Sequence, residues 1–152
     1  MLEYAQERLA DALDDIKALV PAQSAEMAQG YERFVPEPNW PAYLAVEARG
    51  AGLLVTARDE GRLVGYLGFM LHPHASAIST MAASSTPYYV VAGPNRGLVL
   101  RRLLCVAKQL LEQRKVSMMT VRTHPWASAA PLLEAMRFRQ TDTIWMLELD
   151  HA

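Results

Sequence analysis

The stretch from Thr86 to Thr123 limits the possible folds more than any other part of the chain. Tyr88 to Val91 form a short aromatic and β-branched run, which favours a buried strand. From Gly97 to about Arg114, leucine and alanine recur at three- and four-residue steps, which predicts an amphipathic helix of about five turns. Met118 to Val121 form a second predicted strand. Strands joined by a helix of this length usually pair in parallel through a right-handed crossover, so 86–92 and 117–123 are predicted to run parallel.

The loop between this strand and this helix is the first candidate for a ligand site. It consists of Gly93, Pro94, Asn95, Arg96 and Gly97. The first turn of a helix has backbone N–H groups without internal partners and carries the positive end of the helix dipole, a combination that attracts phosphate. Arg96, Arg101 and Arg102 add positive charge. A purely structural interpretation stays open, because glycine and proline mark any strand-to-helix turn and arginine is common on exposed helix faces.

The composition indicates one globular domain spanning residues 1–152. Hydrophobic residues make up 51% and charged residues 20% of the chain, which excludes a disordered protein. A net charge of −1 and a pI of about 6.4 give no support to a nucleic-acid or acidic-membrane binder. The chain has no apolar run of about 18 residues, the length of a membrane span, and its acidic start differs from a signal peptide. With Cys105 as the single cysteine, we expect a cytoplasmic protein without an internal disulfide.

Three helices are predicted in the first third of the chain. The apolar positions of Leu2 to Val20 share one helical face. Pro21 is expected to end that helix and to open a weaker one that reaches Gln29. Asn39 can cap a third helix from Trp40 to about Arg49.

A β-hairpin follows and is the clearest local signal in the sequence. Leu53 to Thr56 and Leu63 to Leu71 are its predicted strands, and Asp59-Glu60-Gly61 is its turn. Gly65 and Gly68 inside the second strand indicate a bulge or a close approach of another backbone.

The segments on either side of the crossover complete the prediction. His72 and His74 end the hairpin. Two histidines at this spacing could bind a metal, but no Cys, Asp or Glu stands near to complete a set of ligands. They are therefore better interpreted as ordinary histidines at the end of a strand. Beyond the crossover, we expect a short helix from Ser128 to Met136 and a last strand from Thr141 to Leu149.

This order of elements resembles the GNAT superfamily of acyl-coenzyme A-dependent N-acyltransferases over nearly the whole chain, and most of all its bacteriophage and prophage subgroup. The resemblance rests on an ordered set of segments rather than on one motif: PNWPAYL, ARDEGRLVGYLGFMLHPH, YYVVAGPNRG, and PLLEAMRF followed by the closing strand. It implies an α/β fold with a central twisted mixed sheet, helices on both faces and a β-α-β crossover at 86–123.

The resemblance also implies acetyl-CoA as the acyl donor. In the family, the loop after the fourth strand carries Arg/Gln-x-x-Gly-x-Gly/Ala, whose amides hold the pyrophosphate, and the fourth and fifth strands splay so that pantetheine pairs with the free edge of the fourth. Carried over, Val90, Val91 and Ala92 would line pantetheine, and phosphate would be held by Arg96, Gly97, Leu98, Val99, Leu100 and Arg101. The sequence departs from the pattern after Arg96-Gly97, where larger residues replace the small ones.

A second departure concerns catalysis. Many members place a tyrosine in a Tyr-x-x-x-Gly-Phe segment of the short helix to protonate the leaving thiolate, but Leu133 and Arg137 stand at the tyrosine and glycine positions here. The role of acid must then fall to another group or to none, and the histidines His72, His74 and His124 are the first alternatives. The candidates for the base that accepts a proton from the acceptor amine are Glu26, Glu32 and His72, with His74 as a further alternative. Each of these can equally be an ordinary surface or structural residue.

Two functional classes follow from the resemblance. The first is an N-acetyltransferase that transfers an acyl group from acetyl-CoA to a primary amine on a small molecule or a protein. The second is a catalytically degenerate GNAT-fold protein that serves as a structural or binding module, in a phage particle or against a host protein. Fold alone fixes neither. The resemblance also implies a homodimer or an assembly with phage proteins. The expected location is the cytoplasm of a bacterial host.

Overall fold

The computed structural model describes residues 1–28, 36–126 and 128–149. Within these ranges the chain forms a six-stranded mixed sheet, in which β1-β2-β3-β4-β6 are neighbours in that order and β5 pairs with β3. The strands are β1 (Leu2–Glu7), β2 (Gly52–Asp59), β3 (Arg62–His74), β4 (Ala77–Ser85), β5 (Tyr89–Val90) and β6 (Met118–Thr120). The helices are α1 (Leu9–Met27), α2 (Trp40–Ala48), α3 (Arg96–Gln113) and α4 (Ala130–Ala135).

Helices cover both faces of the sheet, as the predicted fold class requires. Side chains alternate along a strand, so neighbouring residues of β2 enter different cores. The larger core lies on the α3 and α4 side and includes Leu53, Val55, Leu67, Phe69, Leu103, Leu104 and Leu133. The smaller core lies on the α1 side and includes Ala12, Ile16, Leu54, Leu63, Tyr66 and Tyr89. The mixed α/β fold is therefore confirmed.

The hairpin of β2 and β3 forms where the sequence predicts it. Its two turn residues, Glu60 and Gly61, have φ values of 49° and 82°, the pair of positive angles that a tight hairpin turn needs. Gly68 allows the close approach expected of it, because a Cβ atom there would lie 2.4 Å from Thr86 Oγ1. A bulge opposite Ala57 and Arg58 confirms the expected irregularity in β3. The predicted Asn39 cap is also present, with Ala42 N–H donating to Asn39 Oδ1 at 3.2 Å.

The N-terminal helix prediction is wrong in two respects. Leu2 to Glu7 form an edge strand that pairs with β2 along its whole length, because that pairing satisfies the backbone of both strands and outweighs the local helical pattern. The helix begins only at Leu9 and continues past Pro21 to Met27 as one element. Pro21 removes one backbone hydrogen bond from α1 without ending it.

β4 and β5 are two parts of one bulged strand beside β3. β4 pairs with β3 as far as Ser85 opposite Phe69, and β5 resumes at Tyr89 opposite Tyr66. Four residue steps on this strand thus face three steps on β3, which leaves one extra residue between them. Pro87 lies in this interval and has no N–H to give to the ladder.

The crossover connects β5 to β6 through α3. β6 runs parallel to β4, with Ala82, Ala83 and Ser84 opposite Met118, Met119 and Thr120. Since β4 and β5 are both antiparallel to β3, the segments 86–92 and 117–123 run in the same direction, as predicted. They are not hydrogen-bonded neighbours, however, because β6 pairs with the β4 half of the bulged strand.

The predicted last strand is wrong. Residues 141–149 have no strand structure, and Ile144, Trp145, Met146, Leu147 and Leu149 are exposed. Alternating apolar residues form a strand only where a neighbouring strand is hydrogen-bonded to them. No described strand pairs with this segment. None of the helices in the described ranges combines the length and apolar character needed to cross a membrane.

Candidate functional site: an open strand edge beside a helix N-terminus

The sheet opens between β5 and β6, and we call this opening the strand gap. β6 contacts the bulged strand only through Ala82 to Ser84, so no described strand borders β5 on the side away from β3. Val91 N–H donates to Val64 O at 2.9 Å, which directs the polar groups of Val91 toward β3. Successive residues of a strand face opposite ways, so the N–H and C=O of Val90 face the strand gap. This free edge can receive an extended ligand with amide groups.

The N-terminus of α3 borders the same opening. Arg96 N–H donates to Gly93 O at 3.2 Å and Val99 N–H to Asn95 O at 3.0 Å, while the Asn95 side chain makes no capping hydrogen bond. The N–H groups of Gly97 and Leu98 are the remaining first-turn donors. Apart from its chain neighbours and the backbone of α3 itself, no atom of the described residues lies within 4 Å of the position that a Cβ at Gly97 would take, so an anion can approach these amides.

The structure narrows the predicted phosphate-binding set. Val99 is buried in the larger core, and its N–H is already bonded to Asn95 O. Leu100 and Arg101 lie beyond the first turn, where helical hydrogen bonding occupies the backbone N–H groups. Leu98 is exposed, so its side chain does not cover the helix start.

Arg96 is held by a residue from the far end of α1. Its guanidinium lies 2.6 Å from Glu26 Oε2 and 5.3 Å from the centre of the Tyr89 ring, and Tyr89 Oη donates to Glu26 Oε1 at 3.1 Å. We call these three residues the Glu26 cluster. Arg96 and Glu26 are 39% and 32% exposed, and an ion pair at such a surface contributes about 0 to 1 kcal/mol. A phosphate at the helix start can therefore compete with Glu26 for Arg96.

Hydrogen bonds from Gln23 fix α1 over β5. Gln23 Nε2 donates to Tyr88 O at 3.3 Å, and Gln23 Oε1 accepts a hydrogen bond from Tyr66 Oη. Burial raises the pKa of Tyr66 and keeps its hydroxyl protonated. The last turns of α1 therefore form one wall of the strand gap.

Tyr88 stands where the strand gap closes. Its side chain packs against the larger core, and its hydroxyl is hydrogen-bonded to Thr123, the third residue after β6. Thr123 Oγ1 in turn accepts from Ala129 N–H at 2.7 Å, just before α4. Burial raises the pKa of Tyr88, and the Thr123 hydrogen bond and the charge of Arg96 act in the opposite direction. From the sequence alone, Tyr88 is predicted only as part of a strand. The preceding residue, Pro87, is the one sequence signal that the strand is interrupted here.

The predicted catalytic residues do not come together. Glu26 lies in the Glu26 cluster, and Glu32 lies outside the described residues. His72 is on β3, where Nε2 is 2.8 Å from Ser84 Oγ and Nδ1 is 2.9 Å from Pro73 O. Tyr66, which faces the α1 side, is six residues from His72, about 20 Å along the strand. No group of three or more metal-binding side chains occurs within the described ranges.

The α4 side of the gap contains Leu133 and Arg137, the two positions at which the sequence departs from the pattern it resembles. Leu133 is only 8% exposed and packs in the larger core, so it contributes packing and no proton. Arg137 has a φ of 67°, the left-handed conformation that glycine adopts most readily. His124 stacks on Trp126 with ring centres 4.9 Å apart, and burial together with Arg122 lowers its pKa.

Comparison with known proteins identifies the fold. No protein-family model and no curated protein matches the chain. A solved ribosomal-protein-alanine N-acetyltransferase from Brucella melitensis biovar Abortus 2308 matches with 17% identity and a TM-score of 0.69, over 98% of this chain and 99% of that one. An aminoglycoside acetyltransferase from an uncultured soil metagenomic sample matches with 15% identity and a TM-score of 0.70, over 99% of both chains.

A third solved structure contains acetyl-CoA. It is a predicted acetyltransferase with acetyl-CoA from Clostridium acetobutylicum, with 13% identity and a TM-score of 0.66 over 97% of this chain and 96% of that one. None of these comparisons supports the phage subgroup. At these identities the likeness concerns the fold, and the chain therefore has the fold of the GNAT acetyltransferases.

Proposed function

We propose that this protein is an N-acetyltransferase that transfers an acetyl group from acetyl-CoA to a primary amine. The observation that carries the proposal is the strand gap, with the free edge of Val90 on one side and the free amides of Gly97 and Leu98 at its end. An extended ligand with amide groups and a phosphate at one end fits these donors and acceptors. Acetyl-CoA has both features and supplies an acyl group activated as a thioester.

The residues around the gap have separable tasks in this proposal. The N–H and C=O of Val90 align the pantetheine arm, and Gly97 and Leu98 bind the pyrophosphate through their N–H groups. Arg96 adds a positive charge when it exchanges Glu26 for phosphate. Glu26, once released, is a carboxylate beside the gap that can accept a proton from the acceptor amine.

The acceptor is proposed only as a primary amine. The solved neighbours are described as acting on a ribosomal protein and on aminoglycosides, which are different classes of acceptor on one fold. The face between α1 and the strand gap is where an acceptor would have to approach, because α3 and α4 cover the other face.

Calorimetry with acetyl-CoA tests the proposal, followed by thiol release from acetyl-CoA with a panel of amines. We expect binding by the wild type and loss of binding by Gly97→Asp, because a carboxylate at the helix start repels phosphate. Gly97→Ala is the matched control: there is room for its Cβ, and it should bind as the wild type does. Absence of heat at millimolar acetyl-CoA would refute the proposal.

A second candidate function is a binding module of the same fold without transferase chemistry. Two observations favour it: the buried Leu133 provides no acid, and Arg96 is held by Glu26. This candidate predicts that acetyl-CoA either does not bind or binds without thiol release with any amine. The calorimetry and the amine panel together separate the two candidates.

A further inference from the structure

We propose that Ser84 is a nucleophile that takes the acyl group from its donor and holds it as an ester, with His72 as its base. The inference rests on the proposed function for its acyl-CoA donor and goes beyond it, because transfer from acyl-CoA to an amine requires no covalent intermediate. Three features of Ser84 support it: the hydrogen bonds of its hydroxyl, the face of the sheet on which it lies, and its position at the closed end of the strand gap.

The hydrogen bonds around Ser84 have the arrangement of an activated nucleophile. Pro73 O can only accept, so His72 Nδ1, 2.9 Å away, donates to it and carries the hydrogen of the neutral imidazole. His72 Nε2 is then the unprotonated nitrogen, and Ser84 Oγ donates to it at 2.8 Å. A hydroxyl within about 2.6 to 3.2 Å of a base that a third group orients is the geometry of nucleophilic catalysis. The carbonyl orients the ring without adding charge, so we expect weaker activation than a carboxylate gives.

His72, Ser84 and Thr120 lie on the α1 face of the sheet. The residue before each of them packs with the larger core on the opposite face, and side chains alternate along a strand. Among the described residues, the smaller core on the α1 face contains none from β4 or β6. Thr120 is exposed, and His72 and Ser84 are half-buried, so a small acyl donor can reach their side chains.

Two methionines flank the pair on the same face. Met70 lies directly opposite Ser84 in the pairing of β3 with β4, and Met118 lies opposite Ala82 in the pairing of β4 with β6. Met70 is 37% and Met118 is 43% exposed. Methionine side chains are flexible and apolar, so these two offer a surface for the methyl group of an acetyl donor.

Ser84 also lies at the closed end of the strand gap. It is the last residue of β4 that pairs with β6, where its partner is Thr120. An extended ligand that enters at Gly97 and follows Val90 back along the bulged strand is directed toward Ser84. Thr120 Oγ1 is 3.3 Å from Ser84 Oγ, and its hydroxyl can donate to the oxygen on which negative charge develops when the acyl carbon is attacked.

The proposed step balances without another reactant. The Ser84 oxygen forms a bond to the acyl carbonyl carbon, and its proton passes to His72 Nε2. The C–S bond breaks, its electron pair stays on sulfur, and His72 gives the proton to that sulfur, so coenzyme A leaves as a thiol. The acceptor amine then attacks the ester carbon, and one of its protons passes through His72 to the Ser84 oxygen. The products are the amide and the free serine hydroxyl.

The test uses p-nitrophenyl acetate, an activated ester that needs no coenzyme A site. We expect a burst of p-nitrophenolate from the wild type and an acetyl adduct on the Ser84 peptide in mass spectrometry after an acid quench. Alkaline hydroxylamine should remove this ester, whereas it leaves the amide of an acetylated lysine intact. Ser84→Ala should lose the burst. Ser79→Ala, which removes an exposed serine from the same strand, should keep it.

Variants of the neighbours separate a nucleophile from a structural bridge between strands. His72→Gln should slow acylation by about 100-fold or more, and His74→Gln, at the end of the same strand, should not. Because Thr120 is exposed, Thr120→Val should slow acylation by less than the roughly 100-fold that a shielded oxyanion donor contributes. Equal acylation rates in the wild type and in His72→Gln would overturn the proposal.

Ser84→Cys guards against a loss that comes from misfolding. The variant keeps a nucleophilic atom at this position and should regain an adduct, now as a thioester. Circular dichroism compares the folding of Ser84→Ala and Ser84→Cys with that of Ser79→Ala. Folded variants in which the adduct stays on lysines only would refute the role of Ser84.

The failures of the two proposals are distinguishable. If the wild type binds no acetyl-CoA but p-nitrophenyl acetate acetylates Ser84, the acetyltransferase function fails and the nucleophile is supported. If acetyl transfer from acetyl-CoA to an amine is as fast in Ser84→Ala as in the wild type, the nucleophile alone is refuted. An acyl-enzyme also predicts parallel lines in double-reciprocal plots of initial rates, and intersecting lines would overturn it.

Discussion

β4 and β5 belong to one strand run beside β3, yet the two halves have different neighbours. β4 is bordered by β3 on one side and by β6 on the other, whereas β3 is the only described strand beside β5. The single extra residue between Ser85 and Tyr89 and the missing N–H of Pro87 separate the two halves. One half thus completes the sheet, and the other half leaves its backbone available for a ligand.

The largest difference should appear when proline is placed in each half. Ala83→Pro removes an N–H from a stretch with strand neighbours on both sides, and we expect a loss of about 3 kcal/mol or more in the free energy of unfolding. Val90→Pro removes an N–H that faces the strand gap, and we expect a loss of about 1 to 2 kcal/mol. Urea unfolding followed by circular dichroism measures both; equal losses would mean that the two halves are paired alike.

A substitution at Gly68 tests the bulge between the halves. A Cβ at Gly68 would lie 2.4 Å from Thr86 Oγ1, so Gly68→Ala should cost about 1 to 3 kcal/mol. Thr86→Ala removes the atom in the way, and the double variant should recover part of the loss. A double variant no more stable than Gly68→Ala would place the strain elsewhere in the strand.

An Arg137→Gly variant tests how much the left-handed backbone on the α4 side of the gap costs in stability. This backbone conformation is costly for a residue with a side chain, and Arg137→Gly should raise the free energy of unfolding by about 1 kcal/mol. Arg139→Gly, in the same segment, is the control, because it is also an arginine-to-glycine change. A glycine-to-alanine change at Gly52 is not a suitable comparison, because the added Cβ would contact Glu47. A loss of stability in Arg137→Gly would show that its side chain contributes more than its backbone costs.

The smallest effect concerns the Glu26 cluster. Glu26→Gln removes the carboxylate that holds Arg96, and acetyl-CoA affinity should rise by up to about fivefold, the equivalent of a surface ion pair. Glu112→Gln removes a similar exposed pair with Lys108 on α3 and should leave affinity unchanged. Weaker binding in Glu26→Gln would mean that Glu26 orients Arg96 for the ligand instead of competing with it.

Local signals account for the parts of the fold that were predicted correctly. The Glu60-Gly61 turn, the Asn39 cap and the α3 period each depend on residues within a few positions, so the sequence contains the whole argument. The β1 strand could not be predicted in the same way, because its stability comes from β2, about fifty residues later. The same limit applies to 141–149, whose strand-like pattern has no described partner.

The candidate site was predictable only as a location. The glycine-rich loop before α3 marked where a phosphate could bind. The contact between Glu26 and Arg96 joins residues 70 positions apart, and no spacing rule in the sequence connects them. The Tyr88–Thr123 contact likewise joins distant residues. It depends on where β6 separates from β4, and that point is set by the register in which the two strands pair.

The exposed segment 141–149 has a consequence for optical measurements. The chain has three tryptophans, and Trp145 is 90% exposed, while Trp40 packs against the smaller core and Trp126 stacks on His124. An indole already surrounded by water emits at long wavelength before the protein unfolds, so Trp145 adds a constant background to the fluorescence. A Trp145→Phe variant should therefore give a cleaner emission shift on unfolding, reporting mainly on α2 and on the loop after β6.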